Sequence, residues 1–383
     1  MIPRQLKKAL EKSSKSILLL GPRQTGKSTL ISELHPDLSI NLAHEPTFVD
    51  YLRNPRALEE TLAAFPKART IFIDEVQRLP SLLNTLQVLL DDPANRRRFY
   101  LTGSSARKLK RGHANLLPGR IHQYRLGPLT SEELGFKVDL KRALSLGLLP
   151  GIWINPDTSD AQKTLRTYAS TYIKEEVQAE NLVRNLEGFS RFLHIAAEGA
   201  GRTLDLAKIA SAAQVARQSV VRFFEILEDC LLVHRLDAFG GGLTRRLVQH
   251  PRFYFFDTGV LNGLLGSFDV SQDRMGNLFE HLVTTQLIHS AEALDIPIRI
   301  TTYRTEHGAE VDVILELKNR LIAIEIKSAR SITSPETRGF SSFADYYGKA
   351  HRAMVLYAGT QRRNVKNIEL WPWQEGIREI FKT

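Results

Sequence analysis

Apolar positions change their period along the chain, and the changes mark out three regions. In residues 1–150, the candidate strands are Ile17–Leu20, Thr70–Ile73, Phe99–Thr102 and Ile121–Arg125, the first three of them apolar-rich. Helical spacing lies between them, after Lys27 and across Leu82–Leu90. Strands alternating with helices predict an α/β domain with a parallel sheet. Residues 151–265 read as helical, most clearly over Leu204–Leu236, where a polar break at Gln214–Gln218 separates two apolar blocks. Short strands at Leu231–Leu236 and Phe253–Phe256 follow. Helix, turn, helix and a two-stranded wing outline a winged helix. Residues 266–383 return to mixed α/β character. A helix over Leu278–Leu294 precedes strands at Ile298–Arg304, Val311–Leu317 and Leu321–Ile326, then a helix at Ser341–Tyr347 and a strand at Ala353–Tyr357. Gly240–Gly242 and Gly266–Gln272 are the linker candidates.

Composition adds class and compartment. With 383 residues, 43% hydrophobic and 25% charged, the chain matches an ordinary globular protein able to bury real cores. The N-terminus is basic, but its apolar run SILLL is too short for a signal sequence. No run approaches the ~18 apolar residues of a membrane span. The one cysteine, Cys230, excludes an intrachain disulfide and a cysteine zinc site, and reads as a core residue. These features predict a soluble, cytoplasmic protein with no membrane partner. A net charge of +10 favours DNA as a partner.

The chemistry starts at Gly21, Pro22, Arg23, Gln24, Thr25, Gly26, Lys27, Ser28 and Thr29, which satisfy G-x-x-x-x-G-K-[ST] between an apolar strand and a helical segment. The glycines let backbone N–H groups face the phosphates of ATP. Lys27 would reach the β- and γ-phosphates, and Ser28 would hold Mg²⁺ through its hydroxyl. Thr70–Gln77, TIFIDEVQ, is an apolar strand running into two carboxylates. Asp74 at its end would enter the Mg²⁺ shell, and Glu75 would polarise the attacking water. An Asp capping the next helix is the plain alternative. In the strand Phe99–Ser105, Ser104 or Thr102 would sense the γ-phosphate, unless the segment is only a turn about Gly103. The basic run Arg107, Lys108, Lys110 and Arg111 follows; it suits a phosphate backbone or a solvated face. Arg120, just before the last strand of the sheet, is placed like the finger that ring-forming ATPases offer a neighbour's nucleotide; the alternative is a structural loop arginine.

A second constellation lies in the hairpin VDVILELKNRLIAIEIK. A turn centred on Asn319 and Arg320 sets Asp312 opposite Lys327 and Ile314 opposite Glu325. Opposed residues share a face, as do residues two apart, so Asp312, Glu325 and Lys327 cluster. Two carboxylates there can hold Mg²⁺, with Lys327 orienting water or offsetting phosphate charge. Glu280, on the preceding helix, would complete the metal shell. Cross-strand ion pairs on an exposed hairpin are the alternative. Arg217, Gln218 and Arg222 fall on the presumptive recognition helix and suit phosphates or base edges. The eleven histidines show no HExxH spacing.

The order GPRQTGKS, IFIDEVQ, LTGSS, LPGR and LGPLTSEEL resembles a prokaryotic AAA+-type ATPase family whose members carry a C-terminal region called DUF4143. The resemblance runs on through Tyr172–Glu176, LDLAKIA, SVVRFFEILEDCLLV, RFYFFDTGV, GNLFEHLV, EVDVIL and AIEIKSA, and so covers nearly the whole chain. It implies an ATPase core, a winged helix and a domain similar to PD-(D/E)XK nucleases. It assigns Lys27, Ser28, Asp74 and Glu75 to ATP, and Glu280, Asp312, Glu325 and Lys327 to the nuclease-like site. One departure is Glu175–Glu176, where most members have an Asp. The expected function is a Mg²⁺-dependent ATPase acting on DNA as a homo-oligomer, with a ring as one form. The alternative is a nucleotide-controlled switch that binds DNA or protein and cleaves nothing.

Overall fold

A computed structural model describes residues 2–105, 117–172, 185–240, 250–333 and 335–382. The basic run at 107–111, Glu175 and Glu176 lie outside the described residues.

The first sheet has five strands: β1 (Ser16–Leu20), β2 (Leu38–Asn41), β3 (Thr70–Asp74), β4 (Arg98–Gly103) and β5 (Ile121–Arg125). Their order is β2-β3-β4-β1-β5, and every pairing is parallel. The alternation of side chains along a strand builds two cores from one sheet. Leu18, Leu20, Ile71, Ile73, Phe99 and Leu101 pack on one face. Ile17, Leu19, Phe72, Tyr100 and Tyr124 pack on the other, beneath Leu6 and Leu10 of the N-terminal helix. A parallel sheet covered on both sides needs such apolar runs.

The middle region follows its expected order. Helices Leu206–Ala213 and Arg217–Asp229 are separated by Gln214, whose φ of 54° ends the first of them. Strands β6 (Val233–Ala238) and β7 (Arg252–Phe255) then pair antiparallel. These wing strands do not stand alone. They join β8 (Ile298–Arg304), β9 (Glu310–Leu317), β10 (Arg320–Lys327), β11 (Arg352–Tyr357), β12 (Arg363–Val365) and β13 (Ile368–Pro372) in one eight-stranded sheet. The join is a parallel pairing of Asp237 and Ala238 with Thr301 and Thr302. One apolar core also runs from Leu129 through Phe189, Phe224 and Phe256 to Phe381. Hydrogen bonds and core thus cross the boundary expected at residue 265.

The hairpin register differs from expectation. Arg320 pairs with Leu317 and Ala323 with Ile314, so the turn centres on Lys318 and Asn319, and Lys318 takes the left-handed φ of 53°. Extended along the strands, this register sets Asp312 opposite Glu325 and Glu310 opposite Lys327. A slip of two residues changes every partner but keeps every side chain on its face. The clustering of Asp312, Glu325 and Lys327 therefore survives the correction.

The helix Gln272–Ala293 is the longest of the described helices, with 22 residues. Near its C-terminal end, Gln286 accepts from Ser131 N at 2.7 Å and donates to Leu129 O at 2.9 Å. His289 Nε2 meets Phe256 O at 2.8 Å. Nearer its start, Glu280 turns to the second sheet. Among the described residues no helix is long and apolar enough to cross a membrane.

Candidate functional site

The loop after β1 carries the first site. Gly26 has a φ of 90°, open to glycine without strain. A Cβ on Gly21 would sit 2.2 Å from Leu126 O, so the loop runs against the segment after β5. Lys27 begins the next helix, is 5% exposed, and donates from Nζ to Gly21 O and Pro22 O at 2.9 Å each. Thr25 Oγ1 donates to Pro22 O at 2.9 Å.

Ser28 Oγ donates to both oxygens of Asp74 at 2.9 Å. Helix start and strand end therefore meet in an all-oxygen pair, the donor type a hard divalent cation takes. Thr102 Oγ1 also donates to Asp74 and accepts from Glu75 N at 3.1 Å. Glu75 is left-handed, with a φ of 59°. Gln77 Nε2 donates to the Glu75 carboxylate and to Ser104 Oγ at 2.9 Å. Ser28, Asp74, Glu75 and Ser104 are thus linked by hydrogen bonds through Thr102 and Gln77.

Three contributors escape a motif search. Gln77 ties Glu75 to Ser104, and its place two residues after Glu75 was the available signal. Arg4 is buried and donates to Thr25 O at 2.6 Å and Gly127 O at 2.9 Å, while Nε pairs with Glu133 at 2.9 Å. Nothing local marks it. Tyr168, from the middle region, donates to Arg23 O at 3.3 Å. Arg120 lies at the surface and pairs with Asp91 through two nitrogens, Nη2 at 2.9 Å.

The second site gathers on the second sheet. Asp312 and Glu325 are each 8% exposed and lie on the neighbouring strands β9 and β10. Asp312 Oδ2 accepts from Ile326 N at 2.8 Å, and Lys327 Nζ lies 3.0 Å from Glu325 Oε2. Burial and the neighbouring Asp312 push Glu325 up to about 8. Burial likewise raises Asp312, against the Ile326 amide. Glu280, pushed up to about 7 by burial and by Asp312, accepts from Tyr254 Oη at 2.8 Å and faces Arg252 Nη1 at 3.3 Å. Arg252 also donates to Glu310. Arg252, Tyr254 and Glu310 were absent from the sequence reading, although alternation in the strand RFYF sets Arg252 and Tyr254 on one face. Among the described residues no three His, Cys, Asp or Glu side chains stand poised around one metal position. Arg217, Gln218 and Arg222 are exposed on their helix.

Three family models match successive segments of the chain. Residues 13–135 match an AAA domain, residues 137–271 a domain of unknown function (DUF8612), and residues 275–375 a domain of unknown function (DUF4143). Uncharacterized proteins of Mycobacterium bovis and Mycobacterium tuberculosis are each 28% identical over 366 residues, which is 94% of this chain and 79% of theirs. Among solved structures, one of Pif1 helicases unwinding forked DNA aligns at 13% identity and a TM-score of 0.28, over 48% of this chain and 59% of that one, less than two thirds of its length. AMPPCP-bound DnaA from Aquifex aeolicus aligns at 14% identity and a TM-score of 0.26, over 58% of this chain and 85% of that one. The chain therefore matches an AAA domain model over residues 13–135 and a DUF4143 model over residues 275–375, the pairing that the motif order implied.

Proposed function

We propose that this chain binds and hydrolyses ATP with Mg²⁺ and acts on DNA, with its C-terminal domain as a nuclease-like unit. The observation that carries the ATPase reading is the meeting of Ser28 and Asp74 at 2.9 Å below a loop from which Lys27 projects. Ser28 and Asp74 would hold Mg²⁺ through their oxygens, and the ion when bound would offset phosphate charge. Lys27 exchanges the loop carbonyls for phosphate oxygens. Glu75 takes the proton side of water activation, aimed by Gln77, which also reports the position of Ser104. Arg120 serves a neighbouring subunit's nucleotide in a homo-oligomer. Leaving an exposed partner such as Asp91 costs little, because surface ion pairs contribute about 0–1 kcal/mol. Glu75→Gln should retain ATP and turn it over about 100-fold more slowly or worse, the scale of a lost general base. Steady-state phosphate release checks this, and normal turnover would reassign the base.

DNA contact is supported by the net charge of +10 and by Arg217, Gln218 and Arg222, exposed on the second helix of the helix-turn-helix. In the C-terminal domain, Asp312 and Glu325 are the pair suited to Mg²⁺, with Lys327 to hold water or phosphate. A second reading, a nucleotide-controlled switch without cleavage, is favoured by the commitment of Glu280 and Glu310 to Arg252. Nicking of supercoiled plasmid with Mg²⁺ or Mn²⁺, with and without ATP, separates the two. Cleavage that Asp312→Ala abolishes is expected of the nuclease-like unit. No cleavage by the wild type, with ATP hydrolysis intact, selects the switch.

A further inference from the structure

Four carboxylates gather on the second sheet, and they do not stand alike. Glu280 and Glu310 are already served by cations of the chain. Arg252, on β7, is 4% exposed, lies 3.3 Å from Glu280 Oε1 through Nη1, and donates to Glu310 Oε1 through Nη2. Tyr254, two residues on and on the same face, donates to that same Glu280 oxygen at 2.8 Å. Arg304 takes the remaining Glu310 oxygen at 3.5 Å. A guanidinium stays charged under all ordinary conditions, so this compensation does not switch off. A buried carboxylate needs such a partner to remain ionised.

Asp312 and Glu325 are served differently. They are buried neighbours on adjacent strands, each 8% exposed, and Lys327 Nζ lies 3.0 Å from Glu325 Oε2. With both ionised, the trio keeps an excess negative charge. Two adjacent carboxylates with one lysine present oxygen ligands to a divalent cation, whose shell water and a phosphate complete.

We propose that the C-terminal site takes one divalent cation, held between Asp312 and Glu325, and that the guanidinium of Arg252 fills the role of a second cation by holding Glu280 and Glu310. Glu280 is then an anchor for Arg252 and not a metal ligand. The strand that supplies Arg252 belongs to the wing, so the middle region contributes directly to the C-terminal site. The inference rests on the reading of Asp312 and Glu325 as a metal pair.

The test is a Mn²⁺ titration of the full chain without nucleotide, followed by the electron paramagnetic resonance of free Mn²⁺. Asp74→Ala is present throughout, to remove the cation position below the loop. One Mn²⁺ per chain is expected, lost in Asp312→Ala and bound with unchanged affinity in the isosteric Glu280→Gln. Two Mn²⁺ per chain overturns the inference while leaving the metal pair standing. So does an affinity loss of about 10- to 100-fold in Glu280→Gln, the scale on which even a supporting shell acts. No Mn²⁺ bound at all removes the metal pair itself, and the inference with it.

Discussion

Lys27→Ala should cut ATP affinity by about 100- to 10,000-fold, because it deletes two charge-assisted hydrogen bonds of roughly 1.5–3 kcal/mol each. The side chain is 5% exposed and its ammonium already points back over the loop, where Gly21 O and Pro22 O hold it at 2.9 Å. It is thus ordered in the place that phosphate oxygens would take, and little entropy is lost when they replace the carbonyls. Alanine keeps the helix that begins at Lys27, so the fold should persist. A fluorescent ATP analogue measures the affinity directly. Thermal unfolding gives a second readout: ATP should raise the midpoint of the wild type and leave that of the variant in place. Unchanged affinity would remove the phosphate site from this loop.

Arg252→Ala should destabilise the chain by about 3–5 kcal/mol, the cost of removing one partner from an ion-pair cluster whose guanidinium is 4% exposed. That is a large share of the ~5–15 kcal/mol that holds a typical fold. Glu280 loses its cation and keeps the neutral Tyr254 hydroxyl, while Glu310 falls back on Arg304 at 3.5 Å. Urea denaturation measures the loss. Adding Glu280→Gln and Glu310→Gln to the variant should recover part of it, since neither amide needs a counter-charge. The deficit should also depend on pH. Burial and Asp312 raise Glu280 from its ordinary 4.5 to about 7, while Arg252 opposes the rise. A carboxyl raised in the folded state binds more protons there than in the unfolded chain, so its contribution falls as pH climbs from 4.5 to about 7. Removing Arg252 extends that window upward, and the variant's deficit should widen above neutral pH. A loss below about 1 kcal/mol would place Arg252 among ordinary surface ion pairs.

How much of this was legible depended on range. The strands β1, β3 and β4 were readable because each carries a local apolar run, whereas β5, IHQYR, buries Tyr124 and rests on β1 for its place. β2 was not: Leu38–Asn41 is short, lies at the edge, and buries Ile40 alone. The phosphate loop and the Asp74–Glu75 pair were legible because their chemistry fixes residue types at fixed spacing. Arg4 and Tyr168 reach that site from 21 and 145 residues away, and no local pattern announces them. In the hairpin, strand alternation gave the face of Asp312, Glu325 and Lys327, whereas the pairing depended on where the turn falls. Lys318 taking a left-handed conformation, rather than Asn319 and Arg320 forming the turn, moved the register by two. The joining of β6 to β8 links residues some sixty positions apart and leaves no periodicity in either strand.

The helix Gln272–Ala293 has a consequence for how such a chain can be taken apart. At about 1.5 Å per residue, Glu280 and Gln286 stand roughly 9 Å apart on one rigid rod. One end is hydrogen-bonded into the segment that backs the phosphate loop, and the other lies among the carboxylates. A cut at residue 265 would leave Leu129 O and Ser131 N without their glutamine and open the shared core. The half that matches the AAA domain is therefore not an exchangeable cassette. Chimeras that swap it between relatives should fold only when the 126–131 segment and the face of this helix travel together.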